Sequence, residues 1–521
     1  MVVIPFENSS PTPGLEWLGE SFPETFHEQL NSPVLYVASR DERLLACDRQ
    51  GVPAGVHPSR ATLYRLAEQM DVDYAVLGSY KYDGARLTAI AQLLAMREQK
   101  LLPAVTESGS LADLGTLQSA LAWDMLHMIR TDFSVPKDKY IATVRPARLD
   151  ALENYIRGTL ATSAEEKVKY YREATRINPA YAQAWLELGK TYYAQHAYEL
   201  AVAALSQVQQ SSLMSGLMSG AVAREANFYL GLAAYAHGDF AKSESAFQFV
   251  AARLPLAEVY NNLGVVASRR GQKKAAEYFQ RAIENDPSDP DYHFNMGVTL
   301  SQAGDRTGAT RELRAALDHR PNDAEAKMML DSLTPPAAGS GAIIPSSATS
   351  KAPAERIKRN YEEDAFRQMT TQMGSWAEQQ FARSDPRSHA RFHLELGKEL
   401  LAHGFTTEAE AEFHHAAAVD PSSTAPLTAL ATALANDNDN DARGGNAREA
   451  RAQAEAALRI RESADAYLVL ARLDLRENRM EAAAQNINRA LQLEPSNQTG
   501  QNLKRTLAAK LAEKAQPLSQ P

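Results

Sequence analysis

A single cysteine, Cys47, occurs in 521 residues. That excludes an intramolecular disulfide and a thiolate metal cage, and it leaves the redox compartment open. No run of about 18 apolar residues occurs, so no stretch is long enough to cross a bilayer as a helix. Basic residues are not in excess: 55 Lys and Arg stand against 64 Asp and Glu, a formal net charge of −9. Binding to a phosphate backbone rests on clustered Lys and Arg, so nucleic acid is not an expected partner. A phosphate-cradling glycine loop, a nucleophile elbow and a zinc-protease helix are also missing. No catalytic residue, metal ligand or cofactor is therefore assigned, and a noncatalytic protein is expected. The chain opens on Met1-Val2-Val3-Ile4-Pro5-Phe6, a core-strand pattern with no secretory leader ahead of it. Location stays open between the periplasm or envelope, if an upstream export segment has been lost, and the cytoplasm.

What is present is an ordinary apolar share of 44% with 23% charged residues, enough to bury cores. At roughly 100 to 200 residues per domain, the length suggests about three units. From residue 149 onward the chain repeats itself at about 34 residues. Trp185, Leu188, Gly189, Tyr192, Ala201 and Leu205 set the pattern. It returns at Leu230-Gly231 with Gly238, Phe247 and Pro255, at Leu263-Gly264 with Gly271, Phe279 and Pro287, and at Met296-Gly297 with Gly304, Leu313 and Pro321. A degenerate copy precedes these, through Gly158, Ala174 and Pro179. Further copies follow at Leu396-Gly397 with Phe413 and Pro421, at Leu430-Ala431, and at Tyr467 with Leu470-Ala471 and Pro495. Glycine on a first helix and alanine on a second let two backbones approach, and proline ends the pair. In residue type and spacing this resembles the tetratricopeptide repeat. The resemblance implies stacked helical hairpins whose inner face holds a protein partner.

Residues 2–133 read differently, as short β-rich runs alternating with helices at 15–30, 59–70 and 111–130. A second strand is expected at 34–38, and a hairpin at 74–82 and 86–96 around Asp83-Gly84. The segments Ile4-Pro5-Phe6-Glu7-Asn8, Gly19-Glu20-Ser21-Phe22, Val37-Ala38-Ser39-Arg40, Leu66-Ala67-Glu68 through Gly78-Ser79, and Arg86-Leu87-Thr88 to Leu93 resemble the amino-terminal α/β domain of TolB and its FlgO- and CsgG-like relatives. That resemblance implies a noncatalytic module of bacterial envelope assemblies.

The expected architecture is α+β and multidomain. A small α/β sandwich domain (1–133) and a connector (134–148) precede a first all-α solenoid (149–333). A Pro/Ser/Gly-rich linker (334–353), a second all-α solenoid (354–515) and a disordered tail (516–521) complete the chain. The second solenoid is expected to open on a long helix at 354–382, with Ile357, Tyr361, Phe366, Met369, Met373 and Trp376 available to dock on the stack behind it.

Three sharper patterns have simpler readings. His389 and His393, four apart on one helix, with His403, His414 and His415 nearby, could suggest a metal, but His393 falls at a packing position and no acidic ligand completes a set. Asp437-Asn438-Asp439-Asn440-Asp441 imitates the start of a calcium loop, yet Ala442 and Arg448 stand where glycine and glutamate are needed. Lys137, Lys139, Arg145 and Arg148 read as a solvated connector. The repeat register turns Lys190, Tyr193, Phe228, Leu232, Tyr235, Asn261, Val265, Arg269, Phe294 and Val298 toward the inner groove of the first array, or in part into the core between repeats. These aromatic, aliphatic and polar residues suit a peptide or a helix of a partner. Asp291 and Asn295 stand where a clamp for a terminal carboxylate would need cations. The function expected is an interaction scaffold; the alternative is a sensor whose front domain binds a small ligand and whose repeats relay its state.

Overall fold

The computed structural model describes residues 1–10, 12–31, 35–53, 58–130, 133, 135–143, 147–215, 220–333, 355–381, 385–402, 404–436 and 445–515. The expected linker at 334–353, the Asp437–Asp441 stretch, the tail at 516–521, and Val34, Arg145 and His403 lie outside the described residues. The chain divides into two compact units, one of residues 1–252 with 256–368, the other of 253–255 with 369–521. It is mostly helical, with twenty-four α-helices among the described residues and a small amino-terminal sheet.

The sheet holds β1 (Val2–Val3), β2 (Glu7–Asn8), β3 (Tyr74–Tyr82), β4 (Leu87–Ala95), β5 (Lys100–Leu101) and β6 (Val105–Gly109). β3 is central: β1 and β2 pair with it in parallel, and β4 pairs antiparallel from Tyr74↔Ala95 to Tyr82↔Leu87. β4 in turn pairs antiparallel with β5 and β6. The connection at residues 83–86 is wider than a two-residue turn, and only Gly84 takes a positive φ, of 99°. The reason is the Asp83 carboxylate, which accepts the N–H groups of Ala85 (3.0 Å) and Arg86 (2.8 Å) and fixes the turn from its side chain. Among the described residues of the strand expected at 34–38, Leu35 forms an isolated bridge, and Met1 bonds to Tyr36 and Ala38.

Helices α1 (Trp17–Leu30), α2 (Arg40–Arg49), α3 (Arg60–Gln69) and α4 (Leu114–Ile129) accompany the sheet. β4 alternates buried Leu87, Ala89, Ala91 and Leu93 with less buried neighbours, the period-2 signature of a strand. Phe6 stacks on Phe22 with ring centroids 4.1 Å apart, and its ring occupies the space that a Cβ at Gly78 would take. Arg43 is buried against Glu20 and also donates to the Val3 carbonyl at 3.0 Å, tying α2 to α1 and to β1.

After α5 (Lys137–Thr143) come the hairpins: α6/α7 (Leu149–Leu160, Ala164–Ile177), α8/α9 (Ala182–Ala194, Tyr198–Ser215), α10/α11 (Gly220–His237, Phe240–Ala251), α12/α13 (Ala257–Arg269, Ala275–Asn285) and α14/α15 (Pro290–Gln302, Arg306–His319), closed by α16 (Ala324–Leu333). Each pair closes through a missing side chain. A Cβ at Gly264 would sit 2.5 Å from the Phe279 ring, so glycine there is what lets the fully buried phenylalanine enter the hairpin. The apolar core is continuous from the sheet into the first hairpins, running from Phe22 and Val76 to Tyr155, Tyr171, Tyr181 and Leu188. α1 contributes polar contacts to the same join: Glu24 accepts from the Tyr155 hydroxyl at 3.3 Å, and Glu28 from Gln183 at 2.6 Å.

Residues 355–362 are not helical, contrary to the helix expected from 354; α17 spans Glu363–Phe381. The physical reason is competition for the backbone, because in the first unit the main-chain groups of this stretch bond to side chains of α12 and α14. In the second unit α18 (Pro386–Ala402) to α24 (Gln498–Ala515) continue the hairpin pattern, with Gly397 packed on Phe413. Phe381 of α17 packs on Phe392 at 5.1 Å, but Met369, Met373 and Trp376 stay exposed rather than docked on the stack as expected.

Candidate functional site

The first helices α10, α12 and α14 line up side by side, and their shared face carries asparagines one repeat apart: Asn261 and Asn295 are separated by 34 residues and bonded to each other at 2.7 Å. Both are fully buried, as is Asn262. A buried carboxamide is costly unless its donors and acceptor are matched. They are matched by the main chain of residues 356–358. Asn295 accepts the Arg356 N–H at 2.7 Å, and Asn295 and Asn261 each donate to the Arg356 carbonyl at 2.9 Å. Asn262 pairs in the same way with Lys358, accepting its N–H and donating to its carbonyl, both at 2.8 Å. Glu258 accepts the N–H of Glu362 at 2.9 Å.

The side chains of the segment fill matching places. The Arg356 guanidinium lies 3.7 Å from the Phe294 ring centroid and bonds to Asp323 (2.5 and 2.8 Å), Asp291 (3.0 Å) and Glu325 (2.8 Å). Lys358 bonds to Asp289 and Asp291, each at 2.7 Å. Ile357 packs on the cluster of Val265, Phe279 and Met296. Tyr361 lies against Phe228 with centroids 5.0 Å apart. At the two ends, Glu355 pairs with Arg269 at 3.2 Å and accepts from Ser268 at 2.6 Å, and Glu363 pairs with Arg224 at 3.0 Å. Arg356 and Lys358 reach α14 and α12, Tyr361 and Glu363 reach α10, and Asn295 and Asn262 take both main-chain groups of residues two apart, the pattern of an extended chain.

Of the ten residues expected in the groove, Phe228, Asn261, Arg269 and Phe294 meet this segment directly, and Val265 lies beneath Ile357. Leu232 and Val298 are buried between helices. Lys190 is bound to Glu187 and Glu225, both at 2.8 Å, while Tyr193 packs on Tyr198 and Tyr229, and Tyr235 on Phe240. Asn262, Glu258, Asp289, Asp323, Glu325 and Arg224 meet the segment as well, beyond the ten residues that repeat register points to. A signal existed: the pairs Asp289/Asp323 and Asp291/Glu325 recur at the same spacing as Asn261/Asn295.

The electrostatics follow from burial set against pairing. Burial works to raise Asp291, but hydrogen bonds from Arg320, Lys358 and Arg356 outweigh it and hold the carboxyl at about 2. Asp323 is lowered first of all by its bond from Arg356. Glu258 goes the other way, pushed up by burial to about 7. A carboxyl raised by folding contributes stability that is complete below its ordinary 4.5 and lost as pH rises through about 7. Asp291 has the opposite sign, contributing above its ordinary 3.8 and losing that only as pH falls toward 2. The protein is therefore expected to lose thermal stability between about pH 5 and pH 8 by an increment that Glu258→Gln removes. Melting curves of both proteins at the two pH values check this, and equal pH dependence would refute it.

In the second unit His393 is fully buried and bonded on both ring nitrogens, to Glu412 at 2.6 Å and to His389 at 3.1 Å. Glu412 is an acidic partner where the sequence pattern alone suggests none. Among the described residues no group of three or more His, Cys, Asp or Glu side chains is placed to hold a metal ion.

Tetratricopeptide-repeat family profiles match residues 168–212, 222–290, 273–333 and 464–497. Solved structures that resemble the chain include YrrB, described as a TPR protein with an unusual peptide-binding site (19% identity, 36% of this chain and 91% of that one, TM-score 0.31). MamA from Desulfovibrio magneticus RS-1 (19%, 34% and 100%, TM-score 0.31) and a tetratricopeptide repeat protein from Parabacteroides merdae ATCC 43184 (11%, 63% and 98%, TM-score 0.26) are further examples. Comparison with curated proteins gives no match. Repeats of this kind generally mediate protein–protein interaction and are typically noncatalytic. The hairpins within residues 168–333 and 464–497 match tetratricopeptide-repeat models.

Proposed function

We propose that the chain is a noncatalytic scaffold whose first run of repeats holds a protein partner by an extended peptide segment, and whose later repeats form a second solenoid. The observation that carries this reading is the pairing of Asn262 and Asn295 with both main-chain groups of one residue each, at 2.7 to 2.9 Å. A partner helix has already committed those groups to its own hydrogen bonds, so the site favours an extended chain over a helix. The front domain, through its likeness to the TolB, FlgO and CsgG group, supports a role in a bacterial envelope assembly, with that domain docking a second component. Affinity capture with the full chain is expected to retain a protein that Asn261→Ala combined with Asn295→Ala loses. Retention of the same set by both proteins would count against the groove.

A further inference from the structure

The segment that fills the groove belongs to the chain itself, and from this we infer that residues 355–363 are an internal pseudo-ligand. They keep the groove closed until a partner segment of the same chemistry displaces them. The inference rests on the proposed peptide-binding role and adds both its partner class and its regulation. Three features support it.

First, the groove is matched to a charge pattern. Asp289, Asp291, Asp323 and Glu325 meet Arg356 and Lys358, the apolar cluster with Val265 and Met296 takes Ile357 between them, and Phe228 takes Tyr361. A displacing partner must offer the same order: a cation, an apolar residue, a cation, then an aromatic three residues on, in an extended chain. The acidic wall rejects an acidic segment by like charge.

Second, the recognition is of a kind that an outside chain can reproduce. The asparagines hold the main chain, whose N–H and C=O groups are common to every peptide, while the acids and Phe228 select among side chains. Nothing in the contact set requires a covalent link to the rest of the protein.

Third, the segment ends where the protein could sense its release. Glu363 begins α17, and four residues on, Arg367 also pairs with it at 2.8 Å. Within the first unit, Gln368 donates to the Met70 carbonyl at 3.4 Å, at the end of α3 in the front domain. The lead of α17 thus joins the segment at Glu363 and the front domain at Gln368.

The strength of the closure follows from tethering. The segment is covalently part of the chain that carries its groove, and intramolecular attachment gives an effective concentration on the order of 1 mM. If the free segment binds at about 10 μM, the tethered copy weakens an outside peptide about 100-fold.

The test uses the full chain and a fluorescent synthetic peptide of residues 353–365. In the parent protein the peptide is expected to bind about 100-fold more weakly than in Arg356→Glu combined with Lys358→Glu, which sets acids against the acidic wall and leaves the groove residues untouched. Amide exchange at Arg356 and Lys358, protected in the parent by Asn295 and Asn262, reports release in the variant. Adding Asn295→Ala to the variant is expected to abolish peptide binding. Equal affinity for the parent and the released variant overturns the closure while leaving the groove as a peptide site. Binding to neither overturns the pseudo-ligand and the peptide groove together.

Discussion

Replacing Arg224 with alanine is expected to cost about 3–5 kcal/mol, the range for stripping one partner from a buried ion pair. The Glu363 side chain is 4% exposed and that of Arg224 12%. Burial works to raise the Glu363 carboxyl, and the Arg224 and Arg367 guanidiniums outweigh it and hold it at about 2. Without Arg224 the carboxylate keeps Arg367 at 2.8 Å and the Tyr361 hydroxyl at 2.5 Å, too little to compensate for its place in the interior. The result should appear in two measurements. Chemical denaturation should show the lost stability, and amide exchange at Arg356 and Lys358 should accelerate as the segment is let go. Because the cost lies in the stranded charge, Glu363→Gln in the same protein should recover most of it. A double variant as unstable as Arg224→Ala alone would mean that the pair is not what anchors the segment.

How much of this could be read from residues alone depends on which physical signal each feature leaves. The hairpins leave a strong one. Gly231, Gly264, Gly297 and Gly397 each vacate the Cβ position that a Phe or Leu of the second helix needs, so the spacing of small and large residues writes the packing into the sequence. The sheet leaves a weaker one, because β1, β2 and β5 are only two residues long and are held by the register of β3 and β4. The groove lies between these cases. Phe228, Asn261, Arg269 and Phe294 follow from repeat register, and the recurrence of Asn261 and Asn295 with Asp289/Asp323 and Asp291/Glu325 was visible as spacing. Its meaning was not, since an acid facing a groove acquires a role only when a cation is known to face it. The occupant was hidden for a different reason. Ile357 and Tyr361, four apart, have helical spacing, and local pattern cannot register that asparagines on α12 and α14 offer the backbone a better bargain than its own i→i−4 bonds.

Phe228→Ala separates the two tasks that meet at the groove floor. Phe228 is fully buried, with the rings of Tyr229 at 5.7 Å, Phe247 at 5.8 Å and Tyr361 at 5.0 Å. Phe247 owes its position to Gly231, whose Cβ would come within 2.7 Å of it, so the two phenylalanines form the core of the α10/α11 hairpin. Truncation opens a cavity there that the neighbouring helices cannot close, and the expected loss is about 3–5 kcal/mol on chemical denaturation. A loss of that size would also release Tyr361, so the alanine variant cannot by itself tell floor from core. Phe228→Leu can, because it keeps most of the volume and removes the ring face. An aromatic pair contributes about 0.5–1.5 kcal/mol beyond its area, so the leucine variant should bind the 353–365 peptide about two- to tenfold more weakly in the Arg356→Glu, Lys358→Glu background. A peptide that binds the leucine variant undiminished would make Phe228 a core residue alone, and would move recognition of Tyr361 to the carboxylate and guanidinium beside it.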